Sequence, residues 1–213
     1  AGRLDMKQIY SQLTQIRPVC VLDATHPYAD EVTKNIKEAC QTAGVPYMRI
    51  LRENTDMTEN VTGSAKAHIR VADSMREAVD LLNDKPYLEK NILLTTGSKH
   101  LPDYTKIQDY QNRAYLRLLP SPEMLQKAVD TGFLPAHLIA MQGPFSQELN
   151  VALIKQSGIG VLVTKQSGKS GGFEEKISAA EQTGTDVIVI KRPKQEDGKN
   201  LSEAEAELKK LMT

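Results

Sequence analysis

The sequence holds 213 residues, room for one or two domains at about 150 residues each. Its 40% hydrophobic and 25% charged residues exclude a chain that is disordered throughout or fibrous, and no apolar run of about 18 residues predicts a transmembrane helix. Lys+Arg and Asp+Glu both number 27, so the net charge is zero; this argues against bulk nucleic-acid binding and leaves room for a local basic pocket.

The chain opens Ala1-Gly2-Arg3-Leu4-Asp5 with no charged and apolar leader, and a helix is predicted over about 7–15. Val19 to Asp23 reads as a short buried strand. Cys20 lies within it and Cys40 in the next helix, so both read as reduced thiols of a cytoplasmic protein, not a disulfide or zinc framework. Over 30–43, Val32, Ile36, Ala39, Cys40 and Ala43 share one helical face, Gly44 ends the helix, and Pro46 blocks its continuation. A second strand is predicted over 45–51 and a polar loop over 54–66. Ser74, with Glu77 three residues on, predicts an N-capped helix to about Leu82, and 91–95 predicts a third strand. From Ala114, strands at 114–119, 138–141, 161–164 and 187–190 alternate with helices at 122–130, 146–156, 173–183 and 202–211. Single helices between strands predict right-handed βαβ units, a parallel sheet and the α/β class. The polar stretch near 105–115 suggests two domains, 1–112 and 113–213.

Several familiar motifs fail on spacing. Gly168-Lys169-Ser170 resembles the end of a phosphate-binding P-loop, but the Gly that should stand five residues before Gly168 is Val163. Gly158-Ile159-Gly160 precedes a strand instead of following one, as a dinucleotide fingerprint would. His26, His68, His100 and His137 are dispersed, so no metal site is expected, and no Gly-x-Ser-x-Gly elbow anchors a hydrolase triad.

Four strand-end loops survive, where a doubly wound sheet places its ligand. Asp23 to Ala29 carries Thr25, His26 and Tyr28; the plainer reading of this loop is helix capping, which does not need the His. Thr96-Gly97-Ser98-Lys99 offers close backbone approach and donors that suit an anion, or an ordinary turn. Gly143-Pro144-Phe145-Ser146 places an aromatic ring at a strand end, against a flat ligand or as a seal on the core. Lys165-Gln166-Ser167-Gly168-Lys169-Ser170-Gly171-Gly172 precedes a helix and is rich in free N–H groups, a phosphate or carboxylate cradle unless it is only a surface loop.

Asp23-Ala-Thr-His-Pro-Tyr-Ala29, Leu94-Thr-Thr-Gly-Ser98, Gly143-Pro-Phe-Ser146 with Glu148-Leu-Asn150, Thr164-Lys-x-Ser-Gly168 with Gly171-Gly172 and Glu175-Lys176, and Arg192-Pro193 occur in this order. The set closely resembles the precorrin-6A reductases of cobalamin biosynthesis, over about residues 2–193. The resemblance implies two Rossmann-like parallel-sheet domains with a cleft between them. It implies hydride transfer from NADPH or NADH to a double bond of an anionic tetrapyrrole, with or without cobalt, and a proton delivered to the neighbouring carbon. On that reading Thr96, Gly97, Ser98, Gly143, Pro144, Phe145, Lys165, Ser167, Gly168, Gly171 and Gly172 meet the cofactor. Thr25, His26, Tyr28, Arg49, Lys99, Arg117 and Lys176 meet the substrate, and His26, with an ordinary pKa of about 6.5, is the candidate proton donor. Family members usually begin with a strand and a Gly-rich turn ahead of a Gly-Arg-Leu-Asp segment, so the sequence from Ala1 is expected to lack that strand and part of the cofactor site. The expected partner is the small macrocycle alone, without nucleic acid or membrane, on a monomer or weak homo-oligomer. Two other classes compete with the reductase: a non-catalytic α/β module that binds a nucleotide or tetrapyrrole, and an S-adenosylmethionine-dependent transferase using the Gly171-Gly172 loop.

Overall fold

Local capping chemistry starts the first helix, α1 (Met6–Ile16): the Asp5 carboxylate accepts from the Gln8 N–H at 2.8 Å and Gln8 Oε1 accepts from the Asp5 N–H at 3.0 Å. The computed structural model describes residues 4–25, 29–51, 67–166, 172–191 and 198–211, so the polar loop expected over 54–66 lies outside the described residues. The chain divides into two units, 1–55 with 193–213, and 56–192.

In the first unit, β1 (Val21–Asp23), α2 (Asp30–Ala43) and β2 (Tyr47–Arg49) form a βαβ unit whose strands pair in parallel, Val21 opposite Tyr47 and Asp23 opposite Arg49. Helix α1 packs on α2 through a small core of Leu13, Ala39 and Cys40, bordered by Ile9, Val21 and Ile36. Both cysteines are free thiols, Cys40 buried in that core and Cys20 half-buried. α9 (Leu201–Leu211) follows a single bridge between Ile50 and Lys199.

The second unit carries the main core. Its strands are β3 (Ile69–Ala72), β4 (Asn91–Leu94), β5 (Ala114–Leu118), β6 (Leu138–Ala140), β7 (Ile159–Lys165) and β8 (Asp186–Ile190). They form one all-parallel sheet in the order β3-β8-β7-β4-β5-β6. Successive side chains point to opposite faces, so each strand feeds two cores. Ile92, Leu94, Leu116, Val161, Val163, Ile188 and Ile190 face one core, with α3 (Met75–Leu82), α4 (Leu101–Tyr104) and α6 (Pro122–Asp130) supplying Val79, Tyr104 and Ala128. Leu93, Leu162, Val187 and Val189 face the other, with α7 (Gln147–Gln156) and α8 (Phe173–Thr183) supplying Ile154 and Phe173. Each fully buried Leu, Ile or Val stabilises by about 1.5–3 kcal/mol, and truncating Leu162 in the middle of the sheet costs about 2–5 kcal/mol.

The sheet runs through the division expected between residues 112 and 113. A one-turn helix, α5 (Tyr110–Arg113), leads straight into β5, and β5 pairs with β4 from Ile92↔Ala114 to Leu94↔Leu116. The polar stretch there is a set of turns running into the short helix α5, not a linker. Arg113 explains part of its polarity: its buried guanidinium donates to the carbonyls of Leu82, Tyr87, Lys90 and Gln108, tying α3 to the sheet.

Candidate functional site at the carboxyl edge of the sheet

Six parallel strands place all their carboxyl ends on one edge. β4 leads to β5 on one side of the sheet, β7 leads to β8 on the other, and β4 and β7 are neighbours. That is a topological switch point, where the two connections diverge and leave room for a ligand.

The loop after β4 is held from beneath. The Thr95 hydroxyl donates to the Val163 carbonyl at 2.8 Å, extending the pairing with β7. Thr96 is buried and hydrogen-bonded to the Tyr104 hydroxyl, which in turn donates to the Gly97 carbonyl at 3.0 Å. Gly97 stands at φ 82°, in the left-handed region, and a Cβ there would meet nothing within 4 Å. The loop therefore presents open backbone, and a side chain at Gly97 would intrude on that space. Ser98 contacts the Met124 sulfur at 3.2 Å, and Lys99 is exposed. His100 lies 3.1 Å from Asp103; burial pushes its pKa below the ordinary value, Asp103 opposes this, and the charges of Lys165 and Lys99 add to the depression. Lys165 ends β7, so its influence on His100 ties the loops after β4 and β7 into one positive neighbourhood.

One strand further along, a second cluster stands at the ends of β5 and β6. Arg117 is buried at a position where alternation from Tyr115 would place an apolar residue. Its Nη1 donates to Asn150 Oδ1 at 2.8 Å, and the Asn150 amide is fixed in turn by donating to the Ser146 carbonyl at 2.8 Å. The guanidinium lies 4.0 Å from the centre of the Phe145 ring. That ring folds back over Gly143, where a Cβ would stand 3.0 Å from it. Burial lowers the Arg117 pKa to about 10. Lys176, in the first turns of α8, is also buried; its pKa falls to about 8 through burial, then the Arg117 charge, against the attraction of Glu175. Gly172, which opens α8, lies against the Phe145 carbonyl and the Glu175 carboxylate.

In the first unit, Asp23 and Arg49 form an ion pair of 2.7 Å with both side chains almost wholly buried. Arg49 also donates to the Thr25 hydroxyl at 2.7 Å and the Thr25 carbonyl at 3.1 Å, and the Thr25 hydroxyl meets that of Thr33 at 3.0 Å. Arg49 and Thr25 are thus committed to the strand end itself. Burial raises the Asp23 pKa, but hydrogen bonds from Thr25 and Tyr47 and the Arg49 charge outweigh it and hold the carboxyl below its ordinary value.

The structure brings Thr96, Gly97, Ser98, Lys99 and Lys165 together at the switch point, and Phe145, Arg117, Lys176 and Gly172 beside one another near β5 and β6. Gly143 and Pro144 carry the Phe145 turn through a cis peptide bond. His26, Tyr28, Ser167, Gly168 and Gly171 lie outside the described residues. Tyr104 was not expected from sequence, and Asn150 and Glu175 were singled out only as motif residues without a role; their roles arise from contacts across turns and between layers, which periodicity does not report. Among the described residues no group of three or more His, Cys, Asp or Glu is placed to hold a metal, and no helix is long and apolar enough to cross a membrane.

The family model described as precorrin-6x reductase CbiJ/CobK matches residues 1–210. A cobalt-precorrin-6A reductase of Priestia megaterium is 35% identical over 202 residues, 92% of this chain and 74% of that protein. A cobalt-precorrin-6A reductase of Methanothermobacter thermautotrophicus is 33% identical over 192 residues, 90% of this chain and 60% of that protein. Among solved structures, CobK precorrin-6A reductase superimposes with a TM-score of 0.69 at 24% identity, over 99% of this chain and 81% of that one, a likeness of fold.

Proposed function

Because the chain belongs to the precorrin-6x reductase CbiJ/CobK family, whose members are oxidoreductases of cobalamin biosynthesis, we propose that it reduces one double bond of cobalt-precorrin-6A at the expense of NADPH or NADH. The cobalt complex is favoured over the metal-free macrocycle because the relatives at 35% and 33% identity are named for it. The observation that carries the reading is Gly97: open backbone in the left-handed region, at the switch point of a parallel sheet, beside Lys99, His100 and Lys165.

These residues fit a dinucleotide. Its phosphates need N–H donors and positive charge without side chains in the way, and the Thr96-Gly97-Ser98 turn with Lys165 offers both. Ser167, Gly168 and Gly171, which follow Lys165 in the sequence, are candidates for further N–H donors to the same groups. When bound, the nicotinamide supplies the hydride. The remaining tasks fall to the chain: to hold two partners face to face, to exclude water, and to deliver one proton to the carbon beside the one reduced. His26 remains the candidate donor of that proton, because an imidazolium gives up its proton near neutral pH. No strong acid–base pair is required, and none of the described clusters supplies one.

The test is to supply cobalt-precorrin-6A, metal-free precorrin-6A or S-adenosylmethionine with a precorrin in parallel. Loss of nicotinamide absorbance with an equal change in the macrocycle spectrum, fastest for the cobalt complex, supports the reading. Methyl transfer without nicotinamide oxidation, or binding without turnover, overturns it.

A further inference from the structure

We infer that His100, held by Asp103 so that its Nε2 is left for a ligand, contacts a phosphate of the dinucleotide and takes up a proton as that phosphate binds. The inference rests on the cofactor half of the reductase reading, to which it adds a residue and a pH dependence.

One short helix orders this corner of the site. α4 begins directly after His100, and two of its four residues reach back. Tyr104 donates to the Gly97 carbonyl at 3.0 Å and is hydrogen-bonded to the Thr96 hydroxyl, which fixes the open turn. Asp103, the residue before it, places Oδ2 3.1 Å from His100 Nδ1. A carboxylate beside a ring nitrogen keeps a proton on that nitrogen, so Nδ1 carries the N–H and Nε2 is the atom that gains or loses a proton. Nε2 has no partner among the described residues. His137 shows the contrast. Its ring lies over Tyr115 with centroids 4.1 Å apart, and its Nδ1 lies 3.1 Å from the Gln111 carbonyl, so packing accounts for it. The ring of Tyr104 stands 6.5 Å from that of His100 and tilted by 54°, too far to stack.

The charges around the ring decide when Nε2 is protonated. Burial, before any other cause, disfavours the imidazolium; the hydrogen bond to Asp103 favours it; the charges of Lys165, at the end of β7, and of Lys99 disfavour it. Asp103 is itself shared, with Lys106 3.5 Å from its other oxygen. The Tyr104 phenol, on the same helix, stays uncharged throughout this range. The balance holds His100 below its ordinary pKa, so without a ligand the ring is mostly neutral near pH 7.

A bound phosphate reverses that balance. It offsets the field of the two lysines and accepts a hydrogen bond from Nε2–H, and both effects favour the imidazolium. The pKa therefore rises on binding, and the complex takes up a proton wherever the pH lies between the free and the bound values. Affinity tightens as pH falls through that window and is level on either side of it. The place beside Gly97 suits a phosphate: a Cβ there meets nothing within 4 Å, so the main chain stands open next to the imidazole.

The test is calorimetric titration of the full chain with NADP+ and, separately, NAD+, in pairs of buffers that differ in ionisation enthalpy, from about pH 8 to about pH 5.5. The difference in heat between buffers gives the protons taken up per ligand bound. The extra phosphate of NADP+ titrates near pH 6 in its own right, so the quantity read is wild type minus His100→Gln. Wild type should take up a fraction of a proton more than the variant. Its Kd should tighten towards low pH by about tenfold relative to the variant, the effect of one charge-assisted hydrogen bond. Asp103→Asn removes the charge that favours the imidazolium, so the uptake should move to lower pH. If His100→Gln does not fold, that displacement decides. A difference seen with both dinucleotides assigns the contact to the pyrophosphate, and one seen with NADP+ alone assigns it to the extra phosphate. Equal uptake and equal pH dependence in wild type and His100→Gln would overturn the contact, as would uptake that Asp103→Asn leaves at the same pH, or binding of neither dinucleotide. His100-dependent uptake in a chain that reduces neither macrocycle would sink the reductase reading and leave the contact standing; turnover without any His100-dependent uptake would do the reverse.

Discussion

The Tyr104 hydroxyl donates to the Gly97 carbonyl seven residues upstream, and so fixes the turn that ends the central strand β4. Tyr104 is fully buried, edge-on to Phe133 at 6.3 Å, and burial pushes its phenol above the ordinary pKa, so it stays a donor throughout the physiological range. Tyr104→Phe keeps the ring in the core and strands the Gly97 carbonyl and the Thr96 hydroxyl. We expect a loss of about 1–3 kcal/mol of stability, the cost of unsatisfied buried groups. The nicotinamide KM should rise severalfold with a smaller change in kcat. Denaturant titration and steady-state kinetics check both; a stability loss with an unchanged KM would make Tyr104 merely structural.

Gly97→Ala isolates backbone conformation from crowding. A Cβ there meets nothing within 4 Å, so any cost comes from φ 82° and from the intrusion of a methyl group on the ligand side. With ψ at −178° the residue lies in a region that is essentially glycine-only, and alanine there costs about 1–3 kcal/mol. Gly97→Val should weaken cofactor binding further than Ala while the fold persists, read as KM against thermal midpoint across the pair. Equal KM values for Gly, Ala and Val would place the cofactor elsewhere.

Asp23 gives the first unit an acid limit. Its folded pKa lies below the ordinary 3.8, so the unfolded chain binds the proton more readily. The stability it contributes is fully present above the ordinary value and is lost as pH falls through the folded one, that is, below about 4. Asp23→Ala leaves Arg49 buried without its partner and should cost about 3–5 kcal/mol. Asp23→Asn should flatten the acid limb of the stability curve. Circular dichroism melts across the acid range check this; an unchanged acid limb in Asp23→Asn would assign the limit to other carboxylates.

Most elements were legible because each carried its own local signal. Gly44 closes α2, Ser74 caps α3 by accepting from Glu77 N–H at 3.2 Å, and the apolar runs of β4, β7 and β8 are strands buried on both faces. β3 escaped detection because it is four residues long and lies at the sheet edge, where Arg70 and Val71 are exposed and only its pairing with β8 defines it. α4 and α5 have four residues each, too few for a helical period, and the polar sequence of α5 looked like a boundary. At the site, Gly97 was legible from residue type. Arg117 and Lys176 stood among several basic candidates, and burial separates both from the exposed Lys99. Arg49 looked like a substrate contact; its pairing with Asp23 is set by the β1/β2 register, which the sequence does not state.

Hydride transfer is tested most directly by isotope tracking. The chain is incubated with cobalt-precorrin-6A and a reduced nicotinamide dinucleotide deuterated at the transferable position, and the macrocycle is then analysed by mass spectrometry. The account predicts one deuterium per reduced macrocycle, bound to carbon, with one nicotinamide oxidised for each. A reduced macrocycle whose new hydrogens all come from solvent, or a macrocycle left unreduced while the nicotinamide stays intact, would contradict it.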